Sequence, residues 1–168
     1  MTSHPAGTPG APRLVRVELD GEPLTRLSPL LEADRAQAVA DLAAENRFAP
    51  STTRHGPLIG PFVLHLSIQE GRLVFDVRRT DDTPLTAIGL ALGPFRGLMK
   101  DYGLLVDSHA TAVQEGREAR IQAIDMGRRG LHNEGAALLI KRLAGKIDID
   151  LPTARRLFTL LCVLHQRL

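Results

Sequence analysis

Twelve residues in the C-terminal half constrain this chain more than any other stretch: Ile124-Asp125-Met126-Gly127-Arg128-Arg129-Gly130-Leu131-His132-Asn133-Glu134-Gly135. They place three glycines, two arginines, one histidine and two carboxylates in a run that otherwise reads as helix. Each interior glycine costs a helix about 1 kcal/mol relative to alanine. Three of them mean either that neighbouring backbone approaches closely or that the helix breaks. On a continuous helix, Ile124, Gly127, Leu131, Gly135 and Leu138 share one stripe, bordered on one side by Asp125, Arg128 and His132 and on the other by Gly130 and Glu134.

Three readings of this segment follow. In the first it is a packed helix: Gly127 and Gly135 contact another helix, and Asp125–Arg129 and Arg128–His132 form weak i,i+4 pairs at the rim. In the second, Arg128 and Arg129 bind a phosphate or carboxylate beside His132. His132, Asp125 and Glu134 are then the candidates for general acid–base work. In the third, Gly127-Arg128-Arg129-Gly130 is a GXXG loop between two helices, as in KH domains, and clamps a nucleic-acid backbone.

Composition weighs against the third reading. The formal net charge is only +2, aromatics make up 4% of the chain and tryptophan is absent, so neither a basic footprint nor a base-stacking platform is evident. A length of 168 residues, 43% hydrophobic, suits one globular domain. Residues 1–12, rich in Pro, Gly and small polar residues, read as a disordered tail, and 13–168 as a single α+β domain. Cys162, the sole cysteine, lies in an apolar run and is expected to be a buried hydrophobe. No leader pattern and no membrane-length apolar run is evident. The expected setting is the cytoplasm.

Leu14–Leu19 alternates as a strand, with Val15, Val17 and Leu19 on one face and Arg16 and Glu18 on the other. Ser28-Pro29 is an N-cap followed by a first-turn proline, and predicts a helix to about Asn46. Pro50, Gly56, Pro57, Gly60 and Pro61 predict a loop. Phe62–Arg79 reads as a hairpin turning at Glu70-Gly71. That turn sets Leu64 opposite Val77, Leu66 opposite Phe75 and Ile68 opposite Leu73, with Val63–Arg78 and His65–Asp76 on the other face. A third strand follows over 85–92. Helical patterns begin after Pro94 and cover 117–144 and 157–164, separated by a connector at Lys146–Asp150. The expected fold is α+β: a small antiparallel sheet of about four strands covered by helices, with a helical C-terminal half.

With these features in view, residues 13–167 resemble the bacterial uncharacterised protein family 0262. The likeness is clearest in Ile124–Gly135, in Ala144-Gly-Lys-Ile-Asp-Ile-Asp150 and in Thr153-Ala-Arg-Arg-Leu-Phe-Thr-Leu-Leu-Cys-Val-Leu-His165. Leu64–Ser67 through Arg79 and Pro94–Tyr102 also match. The resemblance implies a cytoplasmic bacterial protein with one domain, and it transfers no catalytic residue.

Elsewhere the chemistry is sparse. His65 and Asp76 are expected as an exposed cross-strand pair, or as an oriented histidine base. His109 falls on the apolar side of its helix. No His, Cys or carboxylate spacing indicates a metal, and no nucleotide-binding or hydrolase motif is present, so no cofactor is expected. Arg78-Arg79 and Arg155-Arg156 read as solvated, although the latter pair falls in a first helical turn, where the helix dipole disfavours cations. The apolar surface of Leu157, Leu160, Leu161 and Leu164 must be covered, either within the chain or in a homo-oligomer. The expected function is non-enzymatic binding or regulation, with a protein or a small anionic molecule as partner. The alternatives are an enzyme or sensor for an anionic metabolite acting through Arg128, Arg129 and His132, and an RNA binder acting through Gly127–Gly130.

Overall fold

The computed structural model describes residues 10–20, 28–52, 54 and 56–166. Strand β1 (Leu14–Leu19) leads to helix α1 (Pro29–Ala44), β2 (Phe48–Thr52), β3 (Gly56–Pro57), β4 (Phe62–Gln69), β5 (Arg72–Arg78) and β6 (Pro84–Ala91). Helices α2 (Arg96–Gln114) and α3 (Glu118–Leu143), strand β7 (Ile147–Ile149) and helix α4 (Leu151–Gln166) complete the order. The fold is α+β with a helical C-terminal half.

Local chemistry explains several elements directly. The Ser28 side chain accepts from the Leu31 N–H at 3.4 Å, and Pro29 opens α1 where its missing donor costs nothing. Glu70 and Gly71 both have positive φ, which matches the right-handed twist of the β4–β5 hairpin. Leu64 faces Val77, Leu66 faces Phe75 and His65 faces Asp76, as the apolar alternation requires. β4, β5 and β6 are antiparallel neighbours.

Three expectations are corrected. The main sheet, in order β1-β4-β5-β6, is mixed, because β1 runs parallel to β4 across the long α1–β2–β3 crossover. The stretch expected as a loop contains β2 and β3, and the expected connector contains β7. Together they form a second, three-stranded sheet in which Phe48 pairs with Ile149 and Pro50 with Ile147. Proline and glycine masked these strands, and the partner lies about a hundred residues away. The expected tail overlaps the fold at residues 10–12: Gly10 N–H donates to Gly60 and Pro12 accepts from Phe48 N–H, each at 2.8 Å. Residues 1–9 lie outside the described residues.

Helix α3 runs unbroken through Gly127, Gly130 and Gly135. The GXXG loop is therefore absent, and with it the geometry for clamping a nucleic-acid backbone. Gly135 is the close contact, since a Cβ there would collide with the ring of Phe158 on α4. Gly127 is not, because its Cβ would meet Leu105 at an ordinary 3.6 Å, and Gly130 faces open space. Val113, placed on the apolar side of α2 by periodicity, is 54% exposed near the helix end.

The core joins the inner face of the main sheet to α4, whose Leu157, Leu160, Leu161 and Leu164 are all buried within the chain, as is Cys162. Helix α4 packs against α1, α2, α3 and β4. The apolar surface on which self-association rested is thus already covered. No described helix is long and apolar enough to cross a membrane.

Candidate functional site

Helix α1 turns Leu31, Ala38 and Leu42 inward, and Asp34 falls on the same stripe, one turn after Leu31. A carboxylate there must find partners or pay for desolvation. It finds two, on different helices. The Tyr102 hydroxyl of α2 donates to one oxygen and the Arg128 guanidinium of α3 to the other. Arg128 also donates to Asp125 at 3.1 Å. The pair is well shielded, with side-chain exposures of 18% for Arg128 and 13% for Asp34. Burial and the Asp34 charge together push the Tyr102 hydroxyl far above its ordinary range, so it acts as a fixed donor.

His132 lies one turn beyond Arg128. Its ring sits 5.6 Å from that of Tyr102 and 6.4 Å from that of Phe158, centroid to centroid. Burial, reinforced by the charges of Arg128 and Arg155 and opposed by Asp34, lowers its pKa to about 4. His132 is therefore a neutral imidazole at neutral pH. Its Nε2 is buried without a hydrogen-bond partner.

Beside this imidazole, between α1 and the first turns of α4, lies a cavity of about 410 Å³. Asp34, Gln37 and Asp41 line one wall, Arg155 and Arg156 the other, and His132 the floor. Asp41 is committed, since it accepts from Gln37 at 2.8 Å and faces Arg156 Nε at 3.7 Å. Asp34 is committed to Tyr102 and Arg128. Arg155 lines the cavity and has no ion pair among the described residues, so its guanidinium is not committed to a carboxylate.

The structure therefore unites only part of the set suggested by sequence. Arg128 and His132 adjoin, but Arg128 is paired with Asp34 and Asp125 and does not line the cavity. Arg129 and Glu134 are exposed and lie apart from the cavity, and Asp125 bonds Arg128 rather than Arg129. The residues missed were Asp34, Tyr102, Arg155 and Arg156. One of these had a visible signal, since Asp34 interrupts an apolar stripe; Arg155-Arg156, expected in a first helical turn, lie in the second turn of α4, which begins at Leu151.

A second polar cluster lies on the sheet face turned away from Leu64 and Leu66. His65, expected at the surface, is only 8% exposed. Its ring ignores Asp76, which instead holds Arg78 at 2.8 Å. Nδ1 lies 3.0 Å from Asp20 and 3.5 Å from Glu18, and Nε2 lies 3.4 Å from Asp82. Arg16 bridges Glu18 at 3.2 Å and Asp82 at 2.7 Å.

Comparison with known proteins connects this arrangement to a family. The family described as "Uncharacterised protein family (UPF0262)" matches residues 11–167. A UPF0262 protein of Granulibacter bethesdensis is 71% identical over 160 residues, covering 93% of this chain and 91% of the relative. One from Acidiphilium cryptum is 62% identical over 155 residues, covering 92% and 93%. One from Paramagnetospirillum magneticum is 48% identical over 159 residues, covering 95% and 99%. No solved structure matches the chain.

Proposed function

The chain belongs to the uncharacterised protein family UPF0262, and for it we propose a binding role: capture of a small anionic metabolite in the cavity between α1 and α4. The observation that carries this reading is Arg155, an arginine without an ion pair among the described residues that lines a cavity beside a neutral imidazole. A cavity of about 410 Å³ suits a small metabolite. Arg155 would hold a phosphate or carboxylate, Arg156 would share it by loosening its 3.7 Å contact with Asp41, and His132 would bond a polar group deeper in the site. The Thr159 hydroxyl at the cavity wall donates to the Arg155 carbonyl at 3.0 Å, and Asp34 is held by Tyr102 and Arg128. Neither is poised to react alongside His132, which favours binding over catalysis. On this reading the protein works in the bacterial cytoplasm, where the free thiol of Cys162 stays reduced.

The test is thermal unfolding of the full chain with inorganic phosphate, phosphate monoesters and small carboxylates. A ligand present at a hundred times its Kd stabilises by about 2.7 kcal/mol. Arg155→Gln should weaken the responding anion at least tenfold. If no anion raises the melting temperature, or if Arg155→Gln binds the responding anion as well as the parent does, the reading fails.

A further inference from the structure

We propose that Glu18, Asp20 and His65 form a binding site for a divalent transition-metal ion of the zinc type, separate from the anion cavity. One imidazole nitrogen and two carboxylate oxygens converge there, all within 4.8 Å of one another. Tetrahedral zinc, with bonds of about 2.0–2.2 Å to nitrogen and oxygen, sets its ligand atoms about 3.3–3.4 Å apart. The Nδ1 separations of 3.0 Å to Asp20 and 3.5 Å to Glu18 bracket that spacing.

The chemistry of the ring points the same way. His65 is buried, and both of its nitrogens face acceptors. A neutral imidazole has one N–H. If Nε2 donates it to Asp82, the Nδ1 lone pair is left facing two carboxylates, a repulsive arrangement that a cation between them converts into ligation. Asp82 then takes the orienting place that a carboxylate commonly holds behind a metal-bound histidine, and Arg16 holds Asp82 at 2.7 Å. Among the described residues, the three carboxylates that the ring faces, Glu18, Asp20 and Asp82, share one guanidinium, that of Arg16, while Asp76 is paired with Arg78, so negative charge is in excess. The half-exposed side chains of Glu18 and Asp20 leave an entry path, and β1 pairing with β4 fixes Glu18 beside His65. Imidazole with carboxylate selects a transition-metal ion over magnesium, which prefers an all-oxygen shell.

Calorimetric titration of the chelator-stripped full chain with Zn²⁺ should show one equivalent bound. His65→Gln and Asp20→Asn should each weaken it at least about tenfold, and Asp82→Asn, a positioning change, by about tenfold. The Asp20 side chain is half-exposed, so its variant retains the fold even if His65→Gln does not. Absence of Zn²⁺ binding overturns the proposal. So does binding that survives both ligand substitutions, which would put the ion at another histidine. Tighter binding of Mg²⁺ than of Zn²⁺ at this site overturns the assigned metal class. None of these outcomes depends on Arg155, so the two sites stand or fall separately.

Discussion

His132 among the helices and His65 on the main sheet are met by opposite chemistry. His132 sits among helices, against aromatic rings, with Arg128 and Arg155 nearby; burial and those charges hold it neutral. His65 sits on a sheet face within reach of Asp20, Glu18 and Asp82. The two proposals thus give the same side chain an anionic ligand in one place and a cation in the other. The difference teaches that the imidazole decides little alone. Elements that arrive from distant parts of the chain choose its charge partners: α1 and α4 for His132, and β1 with the β5–β6 turn for His65.

The largest expected effect separates the two regions by their desolvation. Asp34→Ala strips Tyr102 and Arg128 of their shared acceptor and leaves a mostly buried guanidinium with only Asp125. A loss of about 3 kcal/mol is expected, against less than about 1 kcal/mol for Asp82→Ala, whose carboxylate is half-exposed. Urea unfolding of both variants checks the pair, and equal losses would erase the contrast.

The next effect is pH dependence on the helical side. The folded pKa of His132 is lowered to about 4 from an ordinary 6.5, so between those values the unfolded chain binds the proton more readily. Stability from this group is fully present above pH 6.5 and is lost as pH falls towards 4, by about 2–3 kcal/mol. Urea midpoints from pH 7 to pH 4 should show this loss, and His132→Gln should remove its share of the slope. A slope unchanged in His132→Gln would mean that the imidazole is not held neutral by its surroundings.

The smallest effect sharpens the account of α3, the helix that carries His132. Gly135→Ala drives a methyl into Phe158 and should cost about 1–3 kcal/mol. Gly130→Ala meets open space in the same helix and should stabilise by about 0.5–1 kcal/mol. Thermal unfolding of the two variants gives the sign of each change. Matching signs would show that the α3–α4 approach at Gly135 is looser than the geometry indicates.

Much of the fold was legible from neighbours along the chain. The alternation of Leu64, Leu66 and Ile68 against Leu73, Phe75 and Val77 dictated the hairpin register, because a one-residue slip would turn every apolar side chain to the wrong face. Ser28-Pro29 announced α1 through its own capping chemistry. The candidate site was legible only in outline. His132 and Arg128 stood out, yet the partner that neutralises Arg128 lies 94 residues away in Asp34, and Arg155, which supplies the free charge, looked like a solvated surface residue.

By itself, then, the sequence determined what period, capping and turn geometry control: the β4–β5 hairpin, the limits of α1, the burial of α4 and the family to which the chain belongs. Tertiary structure decided what depends on segments remote in sequence. It set β1 parallel to β4, drew Phe48–Thr52 and Ile147–Ile149 into one sheet, and kept α3 helical across three glycines by packing Phe158 over Gly135. It also chose which charges meet at each histidine. The physical reason is range. Dihedral preference and side-chain periodicity act over a few residues, whereas desolvation and charge pairing depend on what the completed fold brings within a few ångströms.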